Sequence, residues 1–144
     1  MAARSGPLAV VDRFRPRTDT RFLRRVVDAA RRHAGEPGLP VSLLLTDDRG
    51  IAAIHAQHLG DRSATDVISF RIDDEAELVV SVERARRIAH ENGHPIRAEL
   101  ALYVVHGILH VCGFDDHTQR QRRAMRAKER EVLATLGYVI DAFE

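Results

Sequence analysis

The segment from Arg97 to Cys112 constrains this chain more than any other. After Glu99 it carries no charged residue, and it is apolar almost all round. A helix built on it has no face that prefers water, so it must run through the middle of the molecule. Gly113 ends it. Two histidines, His106 and His110, interrupt the apolar run four residues apart and therefore share one face. Two imidazoles on such a helix are costly to desolvate unless both find partners, and a single metal ion supplies both partners at once.

The rest of the chain reads as elements that cover this helix. Leu8 to Val11 predicts an edge strand. From Arg21 to His33, Phe22, Leu23, Val26, Val27 and Ala30 recur at helical spacing, with Thr18 or Thr20 as the cap and Gly35 past the end. Val41 to Leu45 reads as a buried strand. Asp47 and Asp48 open a second helical pattern with Ile51, Ile54, His55 and His58 on one side, and Gly60 to Ala64 is a loop. Asp66 to Phe70 and Glu77 to Ser81 read as strands joined by an acidic turn, Arg71 to Ala76. A short helix from Val82 to about Asn92 is ended by Gly93, and Pro95 opens the central helix. Thr118 with Gln121 forms a capping box for a last, highly charged helix that buries Met125, Val132, Leu133 and Leu136. The order β-α-β-α-β-β-α-α-α predicts an α+β fold. It has a small mixed β-sheet of about four strands packed with about five helices, and the metal site lies on the buried central helix.

Length and composition fit one domain spanning residues 1–144, long enough to bury roughly 68–70% of its unfolded surface. A net charge of +1 excludes a general nucleic-acid coat, so any nucleic-acid contact must use a local patch. All basic residues but Lys128 are arginine, which base composition explains without function. Cys112 is the single cysteine, so no internal disulfide forms and no disulfide-linked partner is expected. Met1 to Pro7 lacks the apolar core of a secretory signal, and Leu100 to Val105 is far short of the ~20 residues that span a bilayer. The expectation is a soluble, cytoplasmic protein without a membrane partner.

Asp115, Asp116 and His117 follow the glycine turn. The pattern His-x3-His-x2-Gly-x2-Asp is similar to the metzincin-type zinc pattern, whose third ligand stands six places after the second. Asp116 occupies that place and is the preferred third ligand, while ligand type keeps His117 as the alternative. Three protein ligands leave a position for water, whose pKa the metal lowers. The carboxylate of Asp116 would weaken the ion as a Lewis acid and widen the choice of metal beyond zinc, which remains the first expectation for one divalent ion. The place of the general-base Glu in HExxH peptidases is held by Gly107, which removes the usual peptidase base and lets another element approach closely.

The run His106-Gly-Ile-Leu-His-Val-Cys-Gly-Phe-Asp-Asp-His117 resembles the signature of the YbeY family of metal-dependent bacterial endoribonucleases linked to ribosomal RNA maturation. Thr65-Asp-Val-Ile-Ser-Phe70 resembles that family's Thr-Asp-Val-Leu-Ser-Phe strand, and Glu77 to Ser81 stands where the family has a Gly-Asp-Ile-type strand. The likeness spans residues 40–135 and implies a small mixed sheet with helices around it. It also implies hydrolysis of an RNA phosphodiester, with a metal-bound water as nucleophile. The expected substrate is single-stranded ribosomal RNA, in maturation and ribosome quality control, with the small ribosomal subunit as partner. By resemblance His106 and His110 are metal ligands. Two positions depart from the family: Asp116 replaces its third histidine, and Leu59 stands where it carries an arginine that helps bind the phosphate. Arg62, in the same loop, is the nearest substitute and the candidate substrate contact.

Arg120, Arg122, Arg123 and Arg126 either hold an RNA backbone or form a solvated face balanced by Glu129 and Glu131. Arg84, Arg86 and Arg87 present the same choice. Cys112 reads as a core residue, and His55, His58, His90 and His94 as structural or exposed. Ser69 lies in a strand that could line the cleft, with no base placed to activate it. Two other functions use the same residues: a ribosome assembly factor with a structural metal, and a metallopeptidase or amidase.

Overall fold

The computed structural model describes residues 5–59 and 67–140, except the side chains of His58 and Leu59. The elements in chain order are β1 (Leu8–Asp12), α1 (Thr20–His33), β2 (Val41–Thr46), α2 (Asp48–Leu59), β3 (Val67–Ile72), β4 (Glu75–Ser81), α3 (Val82–Asn92), α4 (Ile96–Val111) and α5 (Gln119–Thr135). The four strands form one sheet in the order β1-β2-β4-β3. The β1–β2 and β2–β4 pairs are parallel and β3–β4 is antiparallel. This is the mixed α+β arrangement that the element order predicts.

Side-chain alternation assigns the two faces of the sheet. Val41, Leu43, Leu45, Leu78 and Val80 join the main core with Phe22, Val26 and Val27 of α1 and Val104, Val105 and Ile108 of α4. On the opposite face Ile68, Val79, Leu44 and Phe70 pack with Ile51 and Ile54 of α2. α4 is buried along most of its length, as its composition requires. It runs antiparallel to β4. Leu100 lies near Val82, just past the end of that strand, and Gly107 lies against Leu78 in its middle.

Two local expectations are corrected. The predicted Arg71–Ala76 turn is shorter: β3 and β4 keep pairing through Arg71↔Ala76 and Ile72↔Glu75. The reversal is made by Asp73 and Asp74, with φ of 50° and 63°. A two-residue hairpin turn that matches strand twist needs positive φ at both positions, and Asp tolerates it. The cap of α1 is Asp19, whose side chain accepts from the Arg21 N–H, rather than Thr18 or Thr20. Arg31, on a helix rich in arginine, is completely buried. Its guanidinium donates to the carbonyls of Pro7 and Leu39 and to Asp28, tying α1 to the start of β1 and the loop before β2. The expected loop from Gly60 to Ala64 lies outside the described residues.

A bidentate clasp closes the end of α4. Arg71 donates through Nη1 and Nη2 to Glu36 at 2.9 and 2.8 Å, and Nη1 also reaches the Val111 carbonyl at 3.4 Å. The hydrogen bonds from Arg71 hold the Glu36 carboxyl below its ordinary value of 4.5. A depressed carboxylate stabilises the fold above its unfolded pKa, and that contribution is lost as pH falls through the folded value. The pair is partly exposed, so it is worth under about 1 kcal/mol. Glu36→Gln should therefore lower stability by less than about 1 kcal/mol at pH 7, with the difference from wild type shrinking as pH falls below 4.5 in urea titrations. Gly107→Ala tests the close packing of α4: its Cβ would lie 2.9 Å from Leu78 Cδ2 and 3.2 Å from Val67 Cγ2. Overpacking costs about 1–3 kcal/mol, against a gain of about 1 kcal/mol in helix propensity. A net loss of up to about 2 kcal/mol by chemical denaturation is expected.

Candidate metal centre

His106 and His110 lie one turn apart near the C-terminal end of α4, and each imidazole is held by a different neighbour. The His106 Nδ1–H donates to Glu129 Oε2 of α5 at 2.7 Å. Glu129 is deeply buried, its side chain only 5% exposed. On the other side, His110 Nδ1 and Ser69 Oγ of β3 are hydrogen-bonded at 3.0 Å. A carboxylate on one ring nitrogen orients a histidine and fixes its tautomer, and the Ser69 hydroxyl orients His110 as either donor or acceptor. With Nδ1 so engaged, Nε2 is the atom through which either ring could hold a metal. Gly107, between the two histidines, lets α4 settle onto Leu78 and Val67, which brings β3 close enough for Ser69 to reach His110.

The chain leaves α4 through Gly113, whose φ of 107° turns it outward. Asp115, Asp116 and His117 are all exposed. Their backbone is pinned: the His117 and Thr118 N–H groups both donate to Gln121 Oε1, within the predicted capping box of α5. Arg122 Nη1 donates to the Asp116 and His117 carbonyls at 3.1 and 3.4 Å. Among the described residues, no three His, Cys, Asp or Glu side chains are gathered closely enough to hold a metal ion. The two imidazoles are positioned for a borderline metal, and Asp116 and His117 follow them without joining a cluster. Arg62 and the side chain of Leu59 lie outside the described residues.

Glu129 corrects one of the two alternatives offered for this helix, in which it balances a solvated face. It stands four residues after Met125 and three before Val132, both buried, so helical spacing already places it on the inner stripe of α5. Arg122 is used locally, whereas Arg120, Arg123 and Arg126 are exposed and make no ion pair among the described residues. Cys112 packs half-buried beside Glu36, and burial pushes its thiol up to about 12, so it is a neutral packing group. His94 bonds Glu99 at 2.5 Å, His55 is buried and His90 is exposed, in line with structural or surface roles. The side chain of His58 is not described.

A profile of the endoribonuclease YbeY family matches residues 12–137. The chain belongs to the YbeY family. Membership places it among the endoribonucleases, a class of hydrolases, and does not favour the peptidase, amidase or non-catalytic readings. It is 37% identical over 114 residues to endoribonuclease YbeY of Desulforamulus reducens, covering 70% of this chain and 74% of that protein. Identity is 39% over 109 residues with the YbeY of Pelotomaculum thermopropionicum, covering 67% and 72% of the two chains. Against that of Fusobacterium nucleatum it is 30% over 131 residues, covering 83% and 80%. The solution structure of TM1509 from Thermotoga maritima shares the fold. Its TM-score is 0.64 at 18% identity, over 95% of this chain and 99% of that one. Among the described residues, no helix is long and apolar enough to cross a membrane.

The His106–Glu129 pair can be tested without metal. Removing His106 leaves a buried carboxylate unpaired, and removing Glu129 strips the imidazole of its acceptor, each a cost of about 1–3 kcal/mol. A double-mutant cycle of His106→Ala and Glu129→Ala, measured by urea denaturation in EDTA, should give a coupling of about 1–3 kcal/mol. A coupling near zero would mean that Glu129 does not hold the ring.

Proposed function

We propose that the chain, acting as one domain, is a metal-dependent endoribonuclease that cleaves single-stranded regions of ribosomal RNA. The supporting observation is the pair of α4 imidazoles held through Nδ1, one by a buried carboxylate and one by a hydroxyl. This donor set suits zinc or a related divalent ion, with His106 and His110 as ligands and Asp116, or alternatively His117, as the third. When bound there, the ion supplies Lewis-acid activation of water and of a phosphoryl oxygen.

The protein's own residues do the rest. Glu129 keeps His106 oriented and strengthens it as a donor, and Ser69 does the same for His110. Arg120, Arg123 and Arg126, exposed at the start of α5 beside the metal segment, attract and hold the RNA backbone. Arg62 adds phosphate contact in place of the family arginine that is Leu59 here. Positive charge of this kind is what a phosphoryl transition state requires beyond the metal. The work is placed in the cytoplasm, on ribosomal RNA of the small subunit.

The test compares RNA cleavage by wild type with His110→Ala, both purified identically and checked for folding. Wild type should cut and the folded variant should lose roughly a hundredfold or more of the rate. Chelation should abolish cleavage before it unfolds the protein. Equal cutting by both proteins would assign the activity to a contaminant, and no cutting by either would remove the nuclease reading. Zinc titration of Asp116→Ala and His117→Ala decides the third ligand, because only the true ligand's loss weakens binding strongly.

A further inference from the structure

A second site lies at the other end of α4. Phe14, in the loop after β1, forms part of the wall of two adjacent cavities, of 230 and 490 Å³. The smaller has an apolar floor made by Val82, Ile96 and Leu100. Ile96 is 43% exposed there, an unusual position for a large apolar residue at the end of the most buried helix. At 230 Å³ the cavity is below the ~300–1,000 Å³ of a pocket for a drug-sized ligand, so it suits one flat ring rather than a whole molecule.

The rim is cationic. Arg17, Arg86 and Arg97 line the smaller cavity, and Arg86 and Arg87 the larger. The Arg86 guanidinium stands 5.9 Å from the centroid of the Phe14 ring. The nearby carboxylates are already engaged. Asp12 accepts from the Phe14 and Thr18 N–H groups, Asp19 caps α1 and faces Arg97, and Glu83 accepts from the Asp48 N–H. Arg87 is neutralised by Asp48, whereas Arg17 and Arg86 make no ion pair among the described residues. Four arginines and two carboxylates, Asp19 and Glu83, line the two cavities, so the lining is net positive in a chain that is nearly neutral overall.

We propose that this patch is a binding subsite for single-stranded RNA, in which one nucleobase enters the cavity beside Phe14 and Arg17 and Arg86 hold the flanking phosphates. An aromatic ring with an arginine over it, in a cationic surround, offers a base a ring and a guanidinium plane to stack on without reading its sequence. Charge alone would also suit an acidic peptide, but the small cavity lined by Phe14, Val82, Ile96 and Leu100 favours a base. From Arg97 to His110 the helix spans about 20 Å, so a strand bound at both ends is held at a fixed distance from the histidines. The inference rests on the nuclease reading above and deepens it.

The experiment uses the full chain in EDTA, with a fluorescein-labelled oligouridylate of about twelve nucleotides followed by anisotropy. Phe14→Leu keeps apolar volume and removes the ring. Arg17→Gln/Arg86→Gln removes two charges and leaves the core intact, and Arg25→Gln/Arg32→Gln is the charge-matched control on α1. Phe14→Leu should weaken binding roughly five- to tenfold. The arginine pair should reduce the salt slope by about one to two, more than the control does. An abasic strand of the same length should not distinguish Phe14→Leu from wild type. With metal restored, Phe14→Leu should raise KM on the long strand, with kcat unchanged and dinucleotide cleavage unaffected.

If wild type binds and cuts RNA but the Phe14 and arginine variants match it, the subsite falls and the nuclease reading stands. Failure of wild type to bind or cut RNA removes both. Equal competition by polyglutamate and by the abasic strand, with no effect of Phe14→Leu, would make the patch a generic polyanion or acidic-peptide surface and overturn the stacking claim. Loss of dinucleotide cleavage in Phe14→Leu would also overturn it, by showing an effect transmitted through the fold.

Discussion

The structure depends on how a mostly buried helix holds two imidazoles at its part-exposed edge. α4 is covered by the sheet and by its neighbouring helices over most of its length, and the two part-buried histidines are each met by a side chain from another element. Glu129 is brought in by α5 and Ser69 by β3, and each meets one histidine. The pairings decide more than local satisfaction. They require α5 to turn back along α4 and β3 to sit at the sheet edge on the same side. The glycine turn after α4 and the capping box of α5 produce the first requirement, and the tight Asp73–Asp74 hairpin produces the second.

Gly107 connects packing to chemistry. Any side chain there would meet Leu78 and Val67 before α4 reached its present depth. At a shallower depth Ser69 would lose its hydrogen bond to His110, and the imidazole would be free to rotate. The residue that removes the usual peptidase base is also the one that lets the sheet approach. Gly107 thus bears at once on the missing peptidase base and on the geometry of the histidine pair.

The order of all nine elements was legible, because strand and helix periods are strong over short segments and the glycine and capping signals are local. What failed was what depends on partners distant in sequence. Arg31 lies on a helix dense in arginine, so nothing local marks it as the one that is buried among carbonyls of Pro7 and Leu39. The acidic run after Phe70 looked like a loop because charge suggests solvent, yet charged residues pair readily at an exposed sheet edge. Of the candidate site, the histidine pair was readable from spacing. Glu129 was readable in principle, from its place on the apolar stripe of α5, but a charged helix invites the solvated reading. Ser69 was visible as a cleft-lining residue, and its role came only from knowing how far α4 sinks onto β3.

The turn after α4 shows how a third ligand would be recruited. Asp116 and His117 are held by their backbone, through Gln121 and Arg122, while their side chains are exposed and make no hydrogen bond or ion pair among the described residues. Either side chain can change rotamer without breaking an existing contact, at a cost of about 0.5–1.5 kcal/mol if it becomes fixed on an ion. That cost is small beside the roughly 10–16 kcal/mol with which structural zinc binds its peptides, so an open third position does not preclude tight binding. The choice between the two then rests on the ligand atom. A carboxylate oxygen adds charge to the ion, and an imidazole leaves it a stronger Lewis acid. If a carboxylate partly neutralised the proposed ion, the arginines assigned to the phosphate would have to supply more of the transition-state stabilisation, so the identity of this one ligand would bear on rate as well as on affinity.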